Sequence, residues 1–350
     1  MNTNNRSSRR AFLGRLSVAI GAAVGAGAGV VRADPATPDV PVPAIYLRET
    51  GHHVGGPFLA WWLQYGREEG LGWPITEQLD VGNRRVQYFE RGALALAPTS
   101  RDPLGVVPVN LGRPYVSRSS APQPEGQFAH FFPQTGQGVH PAVWPFHREN
   151  GGVYRFGYPL GPAVVGDGGL WQVFERAVLS ESGGRVTDLR LGLMEAERLR
   201  LPTEPATRAR HAPIVDLAAL DPVYGPLADR RATVDLTRQV VTFFDGDQPV
   251  RMAATSTGIY PDFTPAGRYR VFVRVPRARM ISNGSTSAVY DLDDVLHIQY
   301  FTENWIGFHY AYWHGEFGTA RSAGCVNLRL HDSQWAWDFC DHGTQVVVHY

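Results

Sequence analysis

The sequence has 350 residues, 43% of them hydrophobic and 19% charged, which suits a soluble globular protein with a substantial core and room for two or three domains. Its 33 basic residues are all arginine and balance 33 acidic residues. Residues 1–33 carry five of the arginines and no acid, so the remainder has a net charge near −5, which argues against binding to nucleic acid or to an anionic lipid surface.

The first 33 residues have the layout of a twin-arginine export signal. The run SRRAFL (residues 8–13) precedes a Gly- and Ala-rich apolar run from Val18 to Val31, and Ala33 closes the segment. An uncleaved membrane anchor is the alternative. However, the apolar run from Leu16 to Val31 has 16 residues, short of the roughly 20 that span a bilayer. We therefore expect cleavage after Ala33 and an extracytoplasmic protein.

An internal repeat follows a proline-rich linker at residues 34–48. The two copies align without a gap at an offset of 85 positions. The matched pairs are Thr50-Gly51 with Thr135-Gly136, Val54 with Val139, Trp61 with Phe146, Gly72-Trp73-Pro74 with Gly157-Tyr158-Pro159, and Gln87-Tyr88-Phe89-Glu90-Arg91 with Gln172-Val173-Phe174-Glu175-Arg176. We predict a duplicated module over residues 49–198, with copies at about 49–96 and 134–182.

Each copy is predicted to contain a short helix, a turn and a strand. The aromatic residues at helical spacing in the first copy are Phe58, Trp61, Trp62 and Tyr65. Gly66 is expected to end this helix, and the turn Gly-Trp-Pro leads into a strand at Val86–Phe89. In the second copy Pro145 falls inside the helical segment, so that helix should be shorter or kinked.

The repeat unit resembles the short glycine–aromatic–proline (LGFP-like) repeats attached to many bacterial cell-wall enzymes. This resemblance implies that the module docks on the cell wall. A spacer whose aromatic residues simply form a small core is equally consistent with the pattern.

Strand patterns dominate the last region, a domain predicted at residues 214–350 behind a second linker at 199–213. Arg268–Val275 alternates with period two and is predicted as a strand. Two further segments, Ala232–Phe244 and Thr344–Tyr350, are rich in β-branched or aromatic residues.

One short helix is expected close to the end of this domain. Asp332 or Ser333 could cap it, and it would pass through Trp335 and Phe339 and stop before Gly343. The predicted fold class is therefore multi-domain: an α+β duplicated module, followed by a mainly β, sandwich-like domain with one short helix by the cysteine.

The chain has two cysteines, Cys325 and Cys340. A disulfide between them would close a loop of about 15 residues. Alternatively, Cys340 is a buried small apolar residue. We favour the second interpretation, since substrates of the twin-arginine route fold before export, in a reducing compartment.

Cys325 lies in the run SAGCVN (residues 322–327), where Gly324 leaves the backbone beside the thiol open to a substrate carbonyl. The thiolate is the reactive form, and a thiol with a pKa of about 8.5 is mostly protonated at neutral pH. We therefore expect a histidine to keep the sulfur ionised. His309 and His314 lie 16 and 11 residues upstream.

Other roles for these histidines are open on the residues alone. Either could be a packed, hydrogen-bonded residue among the aromatics around it. A zinc site from His309, His314 and Cys325 is disfavoured, because a spacing of five puts the two rings about 140° apart on a helix. No phosphate-binding glycine loop, metal cluster or nucleotide fingerprint occurs, so no cofactor and no metal are expected.

The pattern Ser-x-Gly-Cys-hydrophobic-Asn, with a histidine 16 residues before the cysteine, resembles the catalytic motif of the L,D-transpeptidase (YkuD-type) family. The likeness spans about residues 228–350. Further matching segments are Val234–Gln239, Thr257-Gly258, Thr264–Gly267, Tyr312–His314 with Phe317-Gly318, and Gly343-Thr344 with Val346.

By position, this resemblance implies that Cys325 is the nucleophile and His309 the general base. The carbonyl of Tyr310 would orient the imidazole. The N–H groups of Gly324 and Cys325 would bind the oxyanion.

Ser322 and Asn327 would brace the loop. His314 and Trp313 fall on a frame found in one branch of the family and are the second-choice base or a substrate contact. One position departs from the family pattern: Ala323 stands where the motif commonly has histidine. The nucleophile and base remain, so the departure bears on rate or substrate choice.

The resemblance implies acyl transfer in peptidoglycan at the cell wall or envelope. The partners would be a donor tetrapeptide stem and the side-chain amine of an acceptor stem, and the product a 3→3 cross-link. Carbapenems typically acylate such enzymes. An L,D-carboxypeptidase that passes the same thioester to water is one alternative, and a catalytically weak wall-binding protein is another.

Overall fold

The fold is described by a computed structural model. It covers residues 43–116, 128–166, 168–217, 226–260, 263–282 and 288–350. The predicted export signal and residues 34–42 of the predicted linker lie outside these ranges. Two compact units are present, one containing residues up to Phe58, Arg67–Ala95 and Pro108–Pro213, the other containing Leu59–Gly66, Leu96–Val107 and Ile214–Tyr350. Within the ranges described, no helix is both long and apolar enough to cross a membrane.

The chain up to residue 213 is built of short strands and helices. The strands are β1 (Ala44–Leu47), β2 (His52–Gly55), β3 (Leu79–Val81), β4 (Arg84–Phe89), β5 (Gly92–Leu96), β6 (Val106–Pro108), β7 (His130–Phe132), β8 (Gln137–Val139), β9 (Val164–Gly166), β10 (Gly169–Val173), β11 (Val178–Ser182) and β12 (Arg185–Asp188). The helices are α1 (Gly56–Gln64), α2 (Arg67–Gly70), α3 (Trp144–Glu149), α4 (Gly152–Phe156) and α5 (Leu191–Leu199), with a 3-10 turn at Arg113–Tyr115. Strand orders are β1-β2, β3-β4-β5-β6, β7-β8 and β12-β11-β10-β9.

The predicted elements of the two copies are confirmed. Helix α1 is followed by Gly66 at φ +92°, and β4 contains the predicted strand. Helix α3 has six residues where α1 has nine. Pro145 is the second residue of this helix, in the first turn, where a missing N–H removes no intrahelical bond, so the proline lies at the start of the helix and not in its interior.

Two buried glutamines, Gln87 and Gln172, make the same contacts 85 positions apart. The Nε2 of Gln87 donates to the carbonyls of His53 (2.6 Å) and Thr76 (2.9 Å), and the Nε2 of Gln172 donates to those of Gly138 (2.7 Å) and Gly161 (3.0 Å). The acceptors are also 85 positions apart. These contacts agree with the duplication, which stays a prediction.

The chain beyond residue 226 is mainly β, as predicted. Its strands are β13 (Arg230–Asp235), β14 (Val240–Asp245), β15 (Gln248–Ala254), β16 (Gly267–Arg270), β17 (Val273–Ile281), β18 (Asp291–Tyr300), β19 (Gly307–Tyr310), β20 (Val326–Leu328) and β21 (Gln345–His349). A 3-10 turn at Leu227–Asp229 precedes them, and helix α6 is Leu330–Phe339. One sheet has the order β15-β14-β13-β21-β16 and the other β17-β18-β19-β20.

The two sheets and α6 share one hydrophobic core. Buried residues of this core include Ala232, Val234, Phe243, Phe308, Val326, Val346 and Phe339. In the middle of the five-stranded sheet, β13 and β21 pair in parallel, with Ala232 opposite Val346. Cys340 also lies in the core and is 1% exposed, which confirms its interpretation as a buried apolar residue. Both cysteines are free thiols, so the disulfide alternative is not adopted.

The prediction of one strand over Arg268–Val275 is wrong. Strand β16 ends at Arg270 and β17 begins at Val273, in the other sheet. The N–H of Val271 donates to Thr344, and that of Phe272 donates to Tyr300, both at 3.0 Å. The chain therefore passes from one sheet to the other without losing its extended backbone, and a period-two pattern does not reveal such a crossing.

The predicted start of the helix is also wrong, whereas its end before Gly343 is confirmed. Helix α6 begins at Leu330, and neither predicted cap is used. The buried Asp332 carboxylate accepts hydrogen bonds from Arg251 (2.8 and 3.0 Å) and Gln64 (3.1 Å) instead. The Ser333 hydroxyl donates to the Leu330 carbonyl. Long-range partners thus replace local capping.

We predict that Gln172→Leu destabilises the first unit by about 1–3 kcal/mol, because two buried carbonyls lose their donor. Urea unfolding followed by tryptophan fluorescence would measure it. Gln134→Leu, at an exposed position in the same copy, is the matched control. Equal unfolding midpoints for the two variants would contradict the assigned role of Gln172.

Candidate active site

Cys325 directly precedes β20 and is half-buried. The residue before it, Gly324, has φ +117°, a conformation that L side chains rarely adopt, so glycine is required there. The Sγ of Cys325 donates to the carbonyl of Trp305 at 3.8 Å. No described residue accepts a hydrogen bond from the Cys325 N–H, which is therefore open to an oxyanion.

Two side-chain hydroxyls, those of Ser322 and Thr264, brace the loop that carries Cys325. Ser322 Oγ donates to the Cys325 carbonyl (2.5 Å) and accepts from the Gly324 N–H (3.1 Å). Thr264 Oγ1 donates to the Gly324 carbonyl (2.6 Å) and accepts from the Gly258 N–H (2.9 Å). The Gly324 N–H, expected at the oxyanion, is thus bound to Ser322, which leaves the Cys325 N–H as the open donor.

His309 lies on β19 and is 3% exposed. Its Nδ1 is 3.0 Å from the Tyr310 carbonyl, so the neutral ring carries its proton on Nδ1 and keeps a lone pair on Nε2. In the parallel pairing of β19 with β20, His309 is opposite Asn327. Cys325 lies two residues before Asn327 and directly ahead of β20, so the pairing brings its loop to the strand that carries His309.

Burial keeps the thiol and the imidazole uncharged at neutral pH. Burial raises the pKa of Cys325 to about 11, against a smaller lowering by the backbone at Gly307. Burial also lowers the pKa of His309 to about 4, against a smaller raising by the Tyr310 carbonyl. These pKa directions favour a neutral thiol and a neutral base in the resting site over the expected ionised sulfur.

His314 is engaged at both ring nitrogens. Nδ1 accepts from the Glu316 N–H at 3.3 Å, and Nε2 lies 3.0 Å from the side-chain amide of Asn327. Burial, Arg321 and His309 lower its pKa to about 3. His314 thus holds Asn327 and the loop at Glu316, whereas no described residue bonds Nε2 of His309.

The remaining predicted residues lie around this centre. Trp313 packs its ring 5.7 Å from that of His309, measured between centroids. The Asn327 carbonyl accepts from Thr255 Oγ1 at 2.7 Å, which fixes the strand after the nucleophile. Ala323 is half-buried and contributes no polar group to the loop.

Sequence reasoning missed Trp305. It is the acceptor for the Cys325 thiol, its φ is +61°, and its side chain is 55% exposed. Its ring lies 5.1 Å from that of Tyr300, whose pKa burial and the charge of Cys325 raise to about 12. A positive φ at tryptophan has no signature in the sequence, so no pattern pointed to this residue.

Residues 229–348 match the family model of YkuD, the L,D-transpeptidase catalytic domain. This part of the chain is therefore similar to the catalytic domain of that family. The match covers both sheets of the second unit, together with the Cys325 loop, and agrees with the resemblance drawn from the motifs. No curated protein matches the chain.

Solved L,D-transpeptidase structures resemble the chain at low identity. LdtMt1 in complex with imipenem is 20% identical over 35% of this chain and 59% of that chain, with a TM-score of 0.33. An L,D-transpeptidase from Mycobacterium smegmatis is 18% identical over 52% of this chain and 73% of that one (TM-score 0.33). One from Stackebrandtia nassauensis is 24% identical over 35% and 56% (TM-score 0.30). The chain thus spans about 59% of the length of the first of these.

Among the residues described, no group of three or more His, Cys, Asp or Glu side chains is placed to hold a metal ion. The chemistry available in this region is that of a half-buried thiol, a neutral imidazole on the strand that pairs with β20, and an open backbone N–H. That combination suits acyl transfer through a thioester.

We predict that alkylation of Cys325 by iodoacetamide accelerates about tenfold per pH unit up to about pH 11, because the thiolate reacts and burial raises the thiol pKa to about 11. Peptide mass spectrometry after timed quenching would measure the rate. Cys325→Ala, which leaves the buried Cys340, gives the background. A rate plateau between pH 5 and pH 8 would instead reveal a thiolate–imidazolium pair.

Proposed function

We propose that the chain is an exported cysteine acyltransferase that forms 3→3 cross-links between peptidoglycan stem peptides. The YkuD match supports the reaction class. The observation that carries the mechanism is the neutral His309, whose Nδ1 bonds the Tyr310 carbonyl, whose Nε2 is bonded by no described residue, and whose strand pairs with the strand that follows Cys325.

In the proposed first step, the Cys325 sulfur attacks the carbonyl between the third residue and the terminal D-Ala of a tetrapeptide stem. Since the thiol is protonated at rest, Nε2 of His309 removes its proton as the C–S bond forms. The Cys325 N–H stabilises the oxyanion, a contribution of about 3 kcal/mol per donor. The C–N bond then breaks, His309 returns the proton to the leaving amine, and D-Ala departs from a thioester.

In the second step, the side-chain amine of an acceptor stem attacks the thioester carbonyl. His309 accepts a proton from the attacking nitrogen and returns it to the departing sulfur. A new amide joins two third-position residues, and the Cys325 thiol is restored. The balance of atoms requires no metal and no redox cofactor.

The deciding experiment is intact-protein mass spectrometry after incubation with a tetrapeptide stem, with and without an acceptor amine. We expect an adduct of the stem lacking D-Ala, and a cross-linked dimer when the acceptor is present. If hydrolysed tripeptide were the sole product with and without the acceptor, the activity would be that of an L,D-carboxypeptidase and the cross-linking proposal would be wrong. If neither the stem nor a carbapenem formed an adduct, the chain would be interpreted as a wall-binding protein with little or no catalytic activity.

Cys325→Ala is predicted to abolish the adduct, and His309→Ala to slow acylation by roughly 10²–10⁴ because the attacking thiol loses its base. Burst-phase mass spectrometry would give the rates. His314→Ala is the matched histidine control. It should lower stability by about 1–3 kcal/mol through the lost Asn327 contact while acylation falls far less than in His309→Ala. The reverse ranking of the two histidines would refute the assignment of the base.

Export by the twin-arginine route through residues 1–33, and docking on the cell wall by the duplicated module at residues 49–198, belong to the same proposal. The arginine pair with its apolar run supports the first, and the glycine–aromatic–proline units support the second. We predict that the full chain carrying Cys325→Ala co-sediments with purified cell wall. A chain that stays in the supernatant would show that the module is only a spacer.

A further inference from the structure

Two segments outside the YkuD match belong to the second unit: Leu59–Gly66 and Leu96–Val107. The second of these contains the adjacent pair Arg101-Asp102. These two residues contact the chain on both sides of the nucleophile. Gly318 lies seven residues before Cys325, and Arg329 lies four residues after it.

Arg101 holds the upstream side. Its Nη1 donates to the Gly318 carbonyl and to Thr319 Oγ1, both at 2.9 Å. Gly318 has φ +91°, and a Cβ built on it would lie 2.5 Å from the Cβ of Arg101, so the arginine stem packs against a position that must be glycine. The Gly318 N–H also donates to the Thr255 carbonyl (2.8 Å), and the residue is thereby held from two sides.

Asp102 holds the downstream side. Its Oδ2 is 2.7 Å from Nη1 of Arg329, and both side chains are about 95% buried. Oδ2 makes no aligned hydrogen bond, so the contact is chiefly one of charge. The Arg329 guanidinium also lies over the rings of Tyr65 (5.3 Å) and Phe317 (5.4 Å).

Phe317 connects this cation to the site. Its ring lies 4.8 Å from that of His314, which contacts the amide of Asn327. Arg329 itself directly follows β20 and precedes α6. A buried ion pair is weak evidence of stability, because desolvation offsets most of the attraction. Arg101 and Asp102, in contrast, contact the chain before and after Cys325, at Gly318 and at Arg329. This placement indicates that the two residues position the segment between those contacts.

We propose that Arg101 and Asp102 are positioning residues that hold the segment from Gly318 to Arg329, which comprises the Cys325 loop and β20, in its acylation-competent form. This inference rests on the proposed function, since the loop carries its nucleophile. A segment contributed from outside the YkuD match therefore completes the catalytic unit. Neither side chain touches a reacting atom; each acts through Gly318 or Arg329.

The test uses the full chain, with a carbapenem as acylating probe and Arg101→Ala, Arg101→Lys and Asp102→Asn as variants. We expect Arg101→Ala to lower the maximal acylation rate about ten- to a hundredfold with the half-saturating concentration changed about twofold at most, because misplacement affects the reaction more than binding. The lysine ammonium can still donate to the Gly318 carbonyl, so Arg101→Lys should recover most of the rate. Asp102→Asn should be impaired like Arg101→Ala.

Hydrogen–deuterium exchange of peptides covering residues 316–329 supplies a readout that does not need the reaction. Exchange there should rise in Arg101→Ala and not in Arg85→Ala, a control that removes an arginine from its pair with Asp80 in the first unit. Unchanged acylation and unchanged exchange in a folded Arg101→Ala protein would overturn the inference, and so would equal effects in Arg85→Ala.

Failure of the proposed function gives a different result. In that case the wild-type chain would not be acylated, although iodoacetamide would still alkylate Cys325. The exchange experiment would then decide the positional role of Arg101 by itself. If Asp102→Asn does not fold, the Arg101 variants still test the inference, because Arg101 is exposed and its substitution does not open a cavity in the core.

Discussion

The parallel pairing of β19 with β20 is the constraint on which the candidate site depends. The first strand carries His309 and the second follows Cys325, and the register sets His309 opposite Asn327. A slip of one residue would turn the imidazole to the opposite face of the sheet. The Ser322 hydroxyl donates to the Cys325 carbonyl and the Thr264 hydroxyl to the Gly324 carbonyl. These two hydrogen bonds fix the backbone of the loop directly before β20.

Burial decides how such a pair can work. A thiolate and an imidazolium would both lose hydration at this depth, and the pKa directions show that the neutral forms prevail. In the proposed mechanism, the proton therefore passes to His309 while the C–S bond forms. The chain also contains no lysine, so no lysine amine of its own could compete with an acceptor amine for the proposed thioester.

Features that depend on residues close together in the sequence could be predicted from it. The helix before Gly66, the strand at Val86–Phe89, the shortened helix at Pro145, the mainly β character of the last region and the buried Cys340 all followed from spacing and composition. The motif around Cys325 is equally local, and it led to the family that the match supports. Cys325 and His309 as catalytic residues stay predictions, which the geometry supports.

Features that depend on distant partners could not be predicted. The crossing at Val271 arises from hydrogen bonds to two different strands, and the start of α6 shifts because Asp332 is bound to Arg251 and Gln64. Arg101 contacts a residue 217 positions away. The φ of +61° at Trp305 results from tertiary packing and not from the residue type.

The central place of β21 has a consequence for biosynthesis. This strand lies between β13 and β16, and β13 is the first strand of the region that matches the YkuD model. A polypeptide still attached to the ribosome lacks the middle of its larger sheet until residues 345–349 emerge from the exit tunnel. The larger sheet therefore forms only after Arg231 has met Gln345, 114 positions further along the sequence, and such a non-local pairing slows folding.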